Sequence, residues 1–327
     1  MKSFIAIIVV VLSAMLALPA RADQSVVEIE TKYGLARISQ KPERVVSLSY
    51  IGHDFLLALG IKPIALRYWY GNYPNGVWPW AQAALGDATP VVLRGKIDVE
   101  RIAALKPDLI VGLWSGMTKD EYRILSQVAP TIAPQARHGD YNTPWRRMLL
   151  TLGTVTGTVE QARNLIAHHD QRIAAIRSAH PDWQGKTASV VWPAQLGAFK
   201  SNDIRARLLE ELGLKVSDAL DAIGSAGSFY VNLSEEDLSP IDTDALLWFG
   251  GDSAVPVIKG IALRKTMNAE REGREIIADG LLSSAISHSS PLSLEYALDR
   301  LVPLLEQALD GDPLTVVDSS KDAGLLQ

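Results

Sequence analysis

The sequence predicts an α/β protein of two similar lobes, each a mainly parallel sheet flanked by helices, bridged by a single long helix. Three observations carry this. Short apolar runs of strand length alternate with helical stretches along the chain, the pattern of parallel sheets with helical crossovers. One order of parts occurs twice. Between the two copies, Thr158 to His180 contains neither Gly nor Pro and is rich in helix formers.

The elements follow in chain order. Met1-Lys2, the apolar stretch Phe4 to Leu18 and Ala20-Arg21-Ala22 give a positive start, a short apolar core and a small-x-small cleavage pattern. They predict a secretory signal peptide over 1–22, since a membrane span needs about 20 apolar residues. Loss of Lys2 and Arg21 would take the formal net charge from −5 to −7. The first lobe then covers 23–157. Val45 to Leu48 reads as a strand, and Gly52 to Leu59 as a helix stopped by Gly60. Leu109-Ile110-Val111 reads as a buried strand. The bridging helix covers 158–180, with Ala162, Leu165, Ile166, Ile173 and Ile176 at helical spacing and Pro181 ending it. The second lobe covers 181–327, with a buried strand at Ala245 to Trp248.

The repeat lies in short blocks. Phe55-Leu56-x-x-Leu59-Gly60 matches Leu208-Leu209-x-x-Leu212-Gly213. Asp98-Val99-Glu100 and Ser234-Glu235-Glu236 each offer an N-cap residue with Glu two positions on, and each leads toward an Asp before a buried strand. From Gly60 to Glu100 is 40 residues and from Gly213 to Glu236 only 23, so the first lobe carries about 17 extra. These include Tyr68-Trp69-Tyr70 and Trp78-Pro79-Trp80. Six of the 22 aromatics fall within 13 residues there, and the Gly and Pro among them predict a loop.

Composition removes several classes. With 47% apolar and 21% charged residues the chain is neither disordered nor a basic nucleic-acid binder. It has no Cys, which excludes disulfides, thiol nucleophiles, iron–sulfur clusters and a lipid anchor on Cys. No phosphate-cradling glycine loop is present. Gly112-Leu113-Trp114-Ser115-Gly116 has the wrong spacing for an esterase elbow. The six His are scattered, and adjacent His168 and His169 diverge by about 100° on a helix. No catalytic residue, metal site or cofactor is expected.

Three features remain. The aromatic stretch suits a stacking surface for a bulky, partly apolar ligand, against the plainer reading of a plug over the sheet edge. Arg94 leaves a short apolar run, where its N–H groups suit carboxylate, hydroxamate or catecholate oxygens, although a solvated surface Arg would look the same. Glu100 and Glu236 sit where a helix dipole stabilises a carboxylate and need no other role. As one Glu per lobe, they would also suit a partner with two basic sites.

Together these residues resemble the periplasmic binding proteins that deliver ferric siderophores, haem or vitamin B12 to ABC importers. The resemblance lies in Arg44-Val45-Val46-Ser47-Leu48 with Leu56-Leu57-x-Leu59-Gly60, in Asp98 to Ile110 with its Leu105-Lys106-Pro107-Asp108, in Ser234-x-Glu236-x-Leu238, and in Ser290-Pro291-Leu292-Ser293 with Leu298-Asp299-Arg300-Leu301. It implies Rossmann-like lobes with ligand in the cleft between them. It implies that Glu100 and Glu236 contact Arg residues of the membrane permease, and that Arg94, six residues before Glu100, contacts the siderophore. Trp69, Tyr70 and Trp114 would line the cleft from the first lobe and Phe229 and Tyr230 from the second, with Lys200 or Arg205 as basic neighbours. The cargo would be an iron(III)–siderophore complex whose chelator holds the metal. The chain would then be a non-enzymatic periplasmic monomer, serving an ABC permease and no nucleic acid, with a stiff bridge allowing small lobe motion. Two other readings stand beside this one. They are a haem or corrinoid carrier using Tyr70 or Tyr73, and an exported hydrolase built on Ser115.

Overall fold

The computed structural model describes residues 26–325 except 226, so the signal peptide expected over 1–22 lies outside the described residues. A hairpin of Val27–Thr31 and Gly34–Ile38 opens the chain. The first lobe is built on a five-stranded sheet, parallel throughout. Val45–Ser47 and Leu109–Val111, every residue buried, lie side by side at its centre. Ala65–Arg67 and then Val91–Leu93 extend the sheet on one side, and Thr131–Ile132 on the other. The chain therefore leaves the two central strands in opposite directions. Such a switch point opens a crevice at the carboxyl ends of those strands.

The second lobe repeats the plan less strictly. Thr187–Trp192, Ala245–Phe249 and Glu275–Ala278 run parallel, and Lys215–Val216 pairs parallel with the start of the first of these. Gly197–Phe199 and Tyr230–Asn232 are antiparallel additions at the far edge. Both sheets are flanked by helices, so the fold is the expected pair of Rossmann-like lobes.

The bridging helix runs Val159–Ala179, 21 residues between Thr158 and His180. At 1.5 Å per residue it is about 30 Å long. The lobes also share one continuous core, in which Phe55, Leu56 and Leu149 of the first meet Val190, Leu247 and Leu298 of the second. The closing helix Pro291–Ala308 explains this. It follows the last strand of the second lobe but packs on Gly52–Ala58 and Pro79–Leu85 of the first.

Two expectations need correction. The aromatic stretch is only partly loop, because Pro79 opens the helix Pro79–Leu85. A proline fits the first turn, where its missing N–H has no partner to lose. Asp98 does cap Val99–Ala104, accepting from Arg101 N–H at 3.0 Å. Ser234, however, starts no helix. Its hydroxyl accepts from Glu236 N–H and Asp237 accepts from Ser239 N–H, and a single 3₁₀ turn, Ser239–Ile241, follows. Pro240 lacks an N–H, so a helix begun at Ser234 would lose the hydrogen bond due at that position. Among the described residues no helix is long and apolar enough to cross a membrane.

Candidate ligand-binding cleft

The two sheets place their strand ends opposite one another, and a cleft opens between them. One chamber has a volume of ≈ 700 Å³, walled by Trp69, Tyr70, Tyr73 and Trp78 of the first lobe and Trp192, Phe199, Arg205 and Asp279 of the second. A second chamber of ≈ 490 Å³ lies among Tyr50, Tyr68, Trp114, Tyr141, Asp203 and Phe229. Trp69 and Arg205 belong to both chambers and make them one site.

Strand ends explain the first-lobe wall. Tyr50 and Trp114 follow the two central strands, and Tyr50 N–H donates to Trp114 O at 3.1 Å. Trp69 follows the neighbouring strand Ala65–Arg67 and packs at centroid distances of 6.0 Å from Tyr50, 5.9 Å from Trp114 and 4.5 Å from Tyr70. These tilted and edge-on contacts suit aromatic quadrupoles and hold the indole in place. Gly71 lets the chain turn here. Its φ is 83°, and a Cβ would sit 2.8 Å from the Trp78 ring.

In the second lobe Arg205 stands in the first turn of Ile204–Glu211, whose cap is Asp203. Its guanidinium lies 3.0 Å from both Asp203 oxygens and 4.3 Å from the Phe199 ring, and its Nε donates to Ser287 Oγ at 3.1 Å. Asp279 caps Gly280–His288, and Ser283, Ser284 and Ser287 of that helix form a polar floor.

Beneath the floor lies a buried polar island between the lobes. Asp54 Oδ2 accepts from Trp80 Nε1 at 2.6 Å and from Ser290 Oγ at 3.1 Å. Burial pushes this carboxyl up to about 7, against the pull of those two hydrogen bonds. Burial likewise lowers His53 to about 4 and His288, with His53 nearby, to about 3. His288 Nδ1 donates to Ser284 O at 2.8 Å, and its ring is 5.3 to 5.5 Å from those of Trp80, Trp69 and Trp78. Burial also raises the Tyr70 hydroxyl, against the lowering influence of the nearby Ser284, Arg205 and Ser287.

The structure brings Trp69, Tyr70, Trp114 and Phe229 into the wall. Tyr230 is not among the wall residues. It lies beside one of them, paired across the strands with Phe199, ring centroids 5.2 Å apart. Arg94 is exposed and lies over the Tyr68 ring at 3.7 Å, outside the wall residues. The cation in the wall is Arg205. Lys200 is buried and donates to Ile223 O instead. Glu100 and Glu236 are exposed, each on a segment leaving a cleft-side strand end. Gly95, five residues before Glu100, borders the second chamber, and Leu233 N–H donates to Leu196 O beside the Trp192 hairpin. Ser115 is buried, donating to Gly112 O and accepting from Met117 N–H, a turn-holding role that leaves no free hydroxyl for attack.

Sequence reading missed Tyr50, Tyr141, Trp192, Phe199 and the serine floor. Trp192 had a signal, because it ends the apolar run Val190-Val191 just before Pro193, at the edge where α/β sheets bind ligands. Among the described residues no group of three or more His, Asp or Glu could hold a metal ion.

The family model described as periplasmic binding protein matches residues 45–279. The probable siderophore-binding lipoprotein YfiY of Bacillus subtilis is 28% identical over 221 residues, 65% of this chain and 65% of YfiY, a little under two thirds of its length. The ferric enterobactin-binding periplasmic protein FepB of Escherichia coli is 26% identical over 69% of this chain and 74% of FepB. Among solved structures, a periplasmic solute binding protein from Mycobacterium smegmatis superposes with a TM-score of 0.78 at 32% identity, covering 88% of this chain and 100% of that one. Streptococcus pneumoniae PiaA in complex with ferrichrome superposes at 0.73 and 26% identity, covering 87% and 99%.

Proposed function

This chain belongs to the periplasmic binding protein family, and from that premise we propose that it captures a ferric siderophore in the interlobe cleft and delivers it unaltered to an ABC-type importer. One observation carries the reading, an aromatic-walled cleft of two chambers between lobes that share a core. Iron in a siderophore is already saturated by chelator oxygens. The carrier need only grip the organic shell, through stacking and a few oriented donors. Trp69, Tyr70, Trp114 and Phe229 supply the stacking, and Arg205 and the serine floor supply the donors. Arg94 reaches ligand only at the mouth.

A cleft held by a common core and a 21-residue helix is largely preformed, so little binding energy goes into reorganisation. Glu100 and Glu236 then serve as the permease contacts, one per lobe. On this reading the units are a first lobe over 23–157, a bridge over 158–180 and a second lobe over 181–327, working as a periplasmic monomer without catalysis.

Tryptophan fluorescence tests the proposal, since Trp69, Trp78, Trp114 and Trp192 face the cleft. Titration with a panel of ferric siderophores should quench emission with an apparent Kd at or below about 1 µM for at least one of them. No response from any ferric complex, with haemin giving a Soret shift instead, would overturn it.

A further inference from the structure

The cleft is poor in free positive charge for a site that would hold a metal chelate. We propose that it selects iron(III) complexes with no net negative charge, trihydroxamate-type complexes that are neutral or bear a pendant ammonium, and rejects polyanionic catecholate or citrate complexes. This deepens the siderophore reading and rests on it.

Among the wall residues of both chambers Arg205 is the one cation, and Asp203 and Asp279 are the carboxylates. Arg205 is not free either. Asp203 neutralises it through both carboxylate oxygens and Ser287 takes its Nε, while its side chain is only 12% exposed. The cations just outside the wall are also engaged. Arg67 donates to Ser115 O at 2.8 Å and Gly95 O at 3.4 Å and lies over the Tyr50 ring. Lys200 is buried on Ile223 O. Arg94, stacked on Tyr68 at the mouth, and Lys96, next to the wall residue Gly95, are exposed to solvent outside the wall.

The rest of the wall works in the same direction. Eleven of the chain's 22 aromatic residues line the two chambers. Aromatic faces carry partial negative charge, which favours a cation and disfavours an anion. Removing a multiply charged anion from water into such a site without a counter-charge is strongly unfavourable. Three hydroxamates each lose one proton and balance iron(III). Three catecholates lose two each and leave a trianion. Only the first class enters this cleft without an unpaired charge.

The test is a fluorescence titration of the mature chain with four ferric complexes. They are a linear trihydroxamate with a terminal ammonium, ferrichrome as an uncharged cyclic trihydroxamate, ferric enterobactin as a tris-catecholate, and ferric dicitrate. Both trihydroxamates should bind at least ~10-fold more tightly than either polyanion, about 1.4 kcal/mol. In the variant carrying Asp203→Asn and Asp279→Asn, whose amide oxygens still cap their helices, that gap should narrow by roughly 10-fold as Arg205 is unmasked. Equal or tighter binding of a polyanion by the unmodified chain, or a gap unchanged in the variant, overturns the inference and leaves the siderophore reading standing. Failure of every ferric complex to bind overturns the siderophore reading, and the inference with it.

Discussion

Replacing Asp54 by asparagine should double the contribution of its buried cluster to the slope of stability against pH in mildly acidic solution. Asp54 lies between His53, whose Nε2 is 3.6 Å from its Oδ1, and Ser290, with His288 close by, all buried at the lobe junction. In the unfolded chain these groups titrate near 3.8 for the carboxyl and 6.5 for each imidazole, against about 7 for Asp54, 4 for His53 and 3 for His288 in the fold. The signs are opposite. The raised carboxyl contributes stability that is full below 3.8 and lost as pH rises through 7. The depressed imidazoles contribute stability that is full above 6.5 and lost as pH falls through 4 and 3. Between about pH 4.5 and 6 the folded cluster thus holds one proton, whichever of His53 and Asp54 carries it, and the unfolded cluster holds two. Stability then rises with pH by about 1.4 kcal/mol per unit from these groups. In the Asp54→Asn variant the folded cluster holds none, and the slope becomes about 2.7 kcal/mol per unit. The amide retains an oxygen to accept from Trp80 and Ser290, so packing is kept. Urea midpoints of both proteins at a series of pH values give the slopes, and all other ionisable groups cancel in the difference. A difference between the two proteins that stays flat from about pH 4.5 to 6, or falls as pH rises, would refute the reasoning.

Two further outcomes follow from the cleft and its rim. Glu100→Ala with Glu236→Ala should leave ligand affinity within about 2-fold but abolish uptake by reconstituted permease, because both carboxylates are exposed on segments outside the wall; loss of soluble binding would contradict their docking role. Trp69→Ala should weaken ligand binding by about 2 kcal/mol, roughly 30-fold, in calorimetric titration, since this half-buried indole walls both chambers, and Trp69→Phe should recover part of the loss.

Much of the scaffold was legible because it follows from local chemistry. Val45–Ser47, Leu109–Val111 and Ala245–Phe249 are apolar on both faces, as strands between helical layers must be, and the bridge lacks every residue that would break it. Half of the site was legible for the same reason, since the first-lobe aromatics lie close together in sequence. The other half was not. Trp192, Phe199 and Asp279 come from three separate elements, and serines such as Ser284 resemble surface residues until a helix buries them. Phe229 and Tyr230 show how fine the distinction is, for of two adjacent rings one stands in the wall and the other beside it. Asp54 and Ser290, hydrogen-bonded across 236 positions, gave no local signal at all.

The closing helix has a further consequence for how the molecule is born. Leu294, Ala297 and Leu298 cover Phe55 and Leu56, and Leu292 packs beside Leu57 and Leu85. A nascent chain that has completed its first sheet still leaves that helical flank greasy and bare until nearly the last residue has been delivered. Maturation must therefore end with a late clasp rather than with independent halves closing in turn, and a chain stalled before Pro291 would be prey for proteases.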